Sequence, residues 1–124
     1  MLKFKTFLSI TAILSILNGV IFLFTPTLVM LSFGNTTDAV GVMNMRFFGA
    51  CATGFGVILW ILRGITSVFI QKGISLGALV TLGLLFFVGL YGAITGNIHN
   101  LGFISVGIDF ILSIGFGYFL ITLH

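Results

Sequence analysis

Apolar residues run along this 124-residue chain in four long blocks separated by short polar stretches. The blocks cover residues 6–25, 40–62, 73–95 and 101–123. Each reaches the roughly 20 residues a helix needs to cross the hydrocarbon of a bilayer. Runs such as "LSILNGVIFLF" and "LGLLFFVGLYGAI" do not alternate apolar with polar positions, as the strands of a membrane barrel would. Lipid offers no hydrogen bonds, so each spanning segment must pair its own backbone. The pattern predicts an all-α fold, an integral membrane four-helix bundle forming a single transmembrane domain over residues 1–124.

Between the first two blocks lies "TPTLVMLSFGNTTDA". Thr25 suits a helix cap, Pro26 a first helical position and Gly34 a helix end. The segment is too short to span, so a short interfacial helix is expected after the first span. "NTTD" then offers a cap and a first-turn carboxylate for the second span. The opening "MLKFKTFLSITAILSILNGVIFLF" has the basic start and apolar middle of a signal peptide. Its apolar run is about twice the usual length and no A-x-A site follows, so an uncleaved first span is expected. No proline interrupts any of the four spans, which argues against the broken helices that many transporters place at ion sites.

Composition agrees with this picture. Hydrophobic residues make up 59% of the chain and charged residues 6%, whereas a soluble domain carries about 25% charged residues. The natural solvent for its outer surface is membrane lipid. Five cations, Lys3, Lys5, Arg46, Arg63 and Lys72, face two acids, Asp38 and Asp109. Scattered singly, they form no basic patch for nucleic acid. They do give a direction. Lys3 and Lys5 lie before the first span, and Arg63 and Lys72 in the connection 63–72. Residues 26–39 carry only Asp38, and 96–100 carry no fixed charge. The positive-inside rule puts both termini in the cytoplasm, which implies a multi-pass protein of the cell or inner membrane. Trp60 and Tyr118 fall near the cytoplasmic ends of their spans, at headgroup level. The single cysteine, Cys51, reads as a small core residue.

Small residues mark expected contacts. Gly49, Ala50 and Gly54 leave the start of the second span almost bare, and Gly92 and Gly96 sit four apart in the third. Such spacing lets helix backbones approach closely, either within one chain or between copies.

The charges inside the spans are the candidate chemistry. Counted at 1.5 Å per residue, Arg46 lies about 9 Å and Asp109 about 12 Å below the outer ends of their spans, with Asn18 at about 11 Å and Tyr91 at about 6 Å. Helical spacing puts Arg46 on a face with Gly49, Ala50 and Thr53, and Asp109 on one with Gly102, Ser105 and Ser113. An arginine turned to lipid costs about 2.5–3.5 kcal/mol even on the lenient insertion scale. Pairing with Asp109 would remove most of that penalty. Two readings follow: a buried polar cluster that fixes helix register, or a ligand site in which Arg46 receives an anionic or carbonyl group. His99, in "GNIHNLG", has no second His, Cys or acid at metal spacing. Neither metal nor cofactor is expected.

"FTPTLVMLSFG", "RFFGACATGFGVILW", "GNIHNLGF" and "GIDFILSIGFGYF" together resemble a widespread group of small bacterial four-helix integral membrane proteins to which no activity is assigned. The resemblance covers nearly the whole chain. It implies four helices with both termini inside. Any shared site would fall on Arg46, Gly49, Asn97, Asn100, Gly102 and Asp109. "GITSVFIQ" is more apolar than the cytoplasmic loop of that group.

No nucleophile–base pair, metal cluster or phosphate loop points to an enzyme. The expected function is that of a non-enzymatic accessory subunit or interaction module, packing against itself or a larger membrane complex. The alternative is a small transporter or a binding protein for a hydrophobic or anionic ligand, using an outer cavity around Arg46 and Asp109.

Overall fold

The computed structural model describes residues 3–34, 36–96 and 101–124, with Leu101 described by its backbone alone. Among these residues all regular structure is helical. Helix α1 spans Phe4–Phe24, α2 Pro26–Ser32, α3 Ala39–Leu62, α4 Val68–Ile94 and α5 Leu101–Thr122. The four long helices are each long and apolar enough to cross a membrane. The chain divides into two units, Met1–Gly64 and Ile65–His124, and each has its own packing logic.

In the first unit α1 and α3 run antiparallel. The stripe of α1 that meets α3 includes Leu8, Ala12, Ser15 and Gly19, spaced alternately by four and three residues. On α3 the matching stripe is Gly49, Ala52, Gly56 and Leu59. Gly19 is so close to α3 that a Cβ there would lie 2.6 Å from the Gly49 carbonyl oxygen. A Cβ at Gly56 would lie 2.8 Å from the Ala12 carbonyl oxygen. Glycine is required at these positions because the neighbouring atoms are backbone and cannot swing away. Beside them the Ser15 hydroxyl donates to the Ala52 carbonyl at 2.7 Å, tying the helices where they lie closest. At the far end Phe22 meets Phe48 and Phe33 edge-on, with centroids 4.9 and 6.0 Å apart. These contacts fasten the chain around α2.

Helix α2 begins at Pro26. Thr25 precedes it without a side-chain cap: its hydroxyl donates back to Ile21. Gly34 ends the turn with φ +79°, a left-handed conformation that glycine adopts without steric penalty. Asp38 is itself the cap of α3, accepting from the Gly41 amide at 2.9 Å. "NTTD" thus supplies the expected cap, but its carboxylate is that cap and the first turn of α3 holds no acidic residue.

In the second unit α4 and α5 also run antiparallel. Gly89 lies against Val106, and the Phe86 and Phe110 rings are 4.9 Å apart. Ser75, Ala78, Leu82, Leu112, Phe116 and Phe119 form the buried centre of the pair. Helix α4 starts five residues earlier than the span 73–95 expected from hydropathy. Ser67 caps it by accepting from the Ile70 amide, and the Gln71 side chain donates to the Ile65 carbonyl at 2.8 Å. Lys72 therefore stands on a helix rather than in a loop.

Apart from Ser15, hydroxyl groups within the helices bond locally. Thr11, Ser75, Thr81 and Ser113 each donate to the carbonyl four residues back. Among the described residues no buried side-chain nitrogen or oxygen lacks a hydrogen-bond partner, as a low-dielectric surrounding demands.

Candidate functional site

Arg46 is the only basic residue inside the α1–α3 pair; Lys3, Lys5 and Arg63 stand at its other end. Arg46 occupies an exposed position seven residues into α3, about 10 Å from the start of the helix. The expected face of Arg46, Gly49, Ala50 and Thr53 is split. Gly49 is buried and Thr53 half-buried against α1, whereas Arg46 and Ala50 are exposed. The contact stripe follows alternating steps of three and four, and a residue three before Gly49 is rotated about 60° off it. Asn18, about 100° around the helix from buried Gly19, is likewise turned outward.

Arg46, Ala50 and Gly54 stand four residues apart and all three are exposed, so they form a separate ridge along the outside of this pair. A Cβ on Gly54 would meet no atom within 4 Å. Gly54 and Ala50 are thus not part of the α1–α3 contact, in which Gly19, Gly49 and Gly56 are the close-approach residues. Gly19 and Gly56 carried a readable signal: small residues seven apart in each of two spans. Cys51, expected in the core, is exposed beside the ridge.

Asp109 lies eight residues into α5, half-buried, on the stripe through Gly102, Leu112 and Phe116 that faces α4. Its backbone carbonyl accepts the Ser113 hydroxyl at 2.7 Å. Lys72 is the one lysine or arginine among residues 65–124, near the opposite end of this pair. Tyr91 is 69% exposed and off the α5-facing stripe.

Neither expected companion is level with its charge. The α1–α3 register sets Asn18 about 9 Å deeper than Arg46 along the axis. The α4–α5 register sets Tyr91 about 7 Å shallower than Asp109. Gly92 is buried in α4. Gly96 lies past the helix end with φ +79°, so its place is the turn and not a packed face. Asn97, His99 and Asn100 lie outside the described residues. Among the described residues no group of three His, Cys, Asp or Glu side chains could hold a metal ion.

The chain matches no family model, no curated protein and no solved structure. What defines the protein is its architecture: a multi-pass membrane protein with four apolar helices, carrying one arginine and one aspartate well inside its spans.

Proposed function

We propose that the chain is a non-enzymatic protein of a bacterial inner membrane that works by assembly, as an accessory subunit or interaction module. Its termini face the cytoplasm, on the argument that four of five cations cluster at one end of the spans. The observation that carries the reading is the exposed ridge of Arg46, Ala50 and Gly54. Small residues four apart let a second helix come close, and close approach is the main source of helix affinity in lipid. The same ridge ends in a guanidinium, whose N–H donors call for an acceptor. A partner helix that fits the small residues and brings an acceptor to Arg46 satisfies both. Asp109, the only acid inside the spans by sequence, has the complementary charge.

Gly54→Leu and Arg46→Gln test the proposal. Neither position belongs to the α1–α3 contact, so both variants should insert and remain helical. Blue-native electrophoresis of the protein in native-lipid particles should show a parent complex that Gly54→Leu disperses and Arg46→Gln weakens. Unchanged migration of both variants would refute assembly through this ridge.

A further inference from the structure

Helix α4 is longer than a bilayer requires. Its 27 residues extend about 40 Å, against roughly 30 Å of hydrocarbon. The surplus places one end of α4 at headgroup level. At its first turns α4 forms, with Leu120 of α5, a groove of about 620 Å³. Phe69, Ile74 and Leu76 line it, Gly73 opens it, and Lys72 is its only charged lining residue. Phe69 is 88% exposed, an apolar ring open to an acyl chain. Lys72 is half-buried, which fits an aliphatic stem lying along the groove with the ammonium at the rim. Asp109 is about 20 Å away along α5 by the antiparallel register. No aspartate or glutamate side chain of the α4–α5 pair therefore lies at the level of Lys72.

We propose that this groove holds one anionic phospholipid, with the phosphate on Lys72 and an acyl chain over Gly73 against Phe69 and Leu120. The volume suits part of a small amphiphile. The apolar lining suits a chain and not a free anion. A single cation at the rim selects a net-negative headgroup over a zwitterionic one. The inference depends on the α4–α5 pair alone and does not require assembly through Arg46.

Native mass spectrometry of the detergent-purified protein tests it. The protein is supplied with equal amounts of phosphatidylglycerol and phosphatidylcholine carrying the same acyl chains. The parent should retain the glycerol lipid preferentially. Lys72→Gln should lower that retention about fivefold, and Lys72→Arg should preserve it. A Cβ at Gly73 meets nothing within 4 Å, so Gly73→Leu folds and fills the groove; retention of both lipids should fall. A double Lys3→Gln, Lys5→Gln variant, altered in the other unit, should behave as the parent. The proposal is overturned by equal retention of the two lipids, by parent-like selectivity in Lys72→Gln, or by displacement of the lipid with inorganic phosphate. It is also overturned if the Lys3/Lys5 variant loses as much selectivity as Lys72→Gln, because diffuse charge then suffices.

Discussion

Gly49→Ala puts one methyl group into the tightest part of the α1–α3 contact. The new Cβ would lie 2.6 Å from the Gly19 carbonyl oxygen and 2.7 Å from the Leu23 amide nitrogen. Both are backbone atoms, so no rotamer change relieves the clash. Ordinary contact begins at 3.4 Å, and the helices must part by about 0.8 Å to reach it. Parting them weakens the van der Waals packing that holds helices together in lipid. Overpacking of this kind costs about 1–3 kcal/mol. Stretching the adjacent Ser15–Ala52 hydrogen bond adds about 0.6 kcal/mol. Alanine's better helix propensity returns up to about 1 kcal/mol. The expected net loss is about 1–2 kcal/mol. Gly107→Ala in α5 is the matched control, because its Cβ meets nothing within 4 Å; it should be neutral or gain up to about 1 kcal/mol. Unfolding by sodium dodecyl sulfate in mixed micelles, followed by circular dichroism, reads both. If the two variants shift stability equally, or Gly49→Ala gains, α1 and α3 do not approach closely at Gly49.

Further outcomes follow from individual contacts. Ser15→Ala should lose about 0.6 kcal/mol with the bond to Ala52, whereas Thr81→Ala, which removes only a bond within its own helix, should lose less in the same titration. Gly34→Ala forces a side chain into the left-handed region and should cost about 1–2 kcal/mol; Gly34→Asn should cost less, again by detergent unfolding. In a Cys51→Ser background, an impermeant thiol reagent added to intact cells should label Thr37→Cys and spare Thr66→Cys, and the reverse pattern would overturn the orientation. Asp109→Asn and Arg46→Gln should each destabilise the protein in nanodiscs, and the double variant should recover at least about 0.5 kcal/mol of the combined loss. Simple additivity would mean that the two charges answer to separate partners.

Hydropathy located the helices because a lipid-facing helix must be apolar along its length, whichever way it is turned. The segment 68–72 escaped because its polar Gln71 and Lys72 resemble loop residues; the Ser67 cap and the return bond from Gln71 are tertiary details. Facing was harder to read. Residues three and four apart share a broad face, but two antiparallel helices in contact select a narrow stripe with a seven-residue repeat. Gly19 and Gly49 fall on that stripe, while their neighbours Asn18 and Ala50 do not. Arg46, Ala50 and Gly54 therefore stand on an outer ridge and not on the inner face that their spacing suggests. Gly96 misled for another reason: its spacing from Gly92 fits a packing motif, yet its positive φ ends α4. The depths of Arg46 and Asp109 could be counted directly from the sequence, since rise per residue is fixed. Their partners could not, because depth does not give direction around the helix axis.

The mass of the species extracted in native lipid tests assembly most directly. A parent complex heavier than the 13.3 kDa chain, made with a second copy or with a stoichiometric membrane partner, is the predicted result, and Gly54→Leu should return it to the single chain. A parent protein that is a single chain in its own lipids would contradict the account.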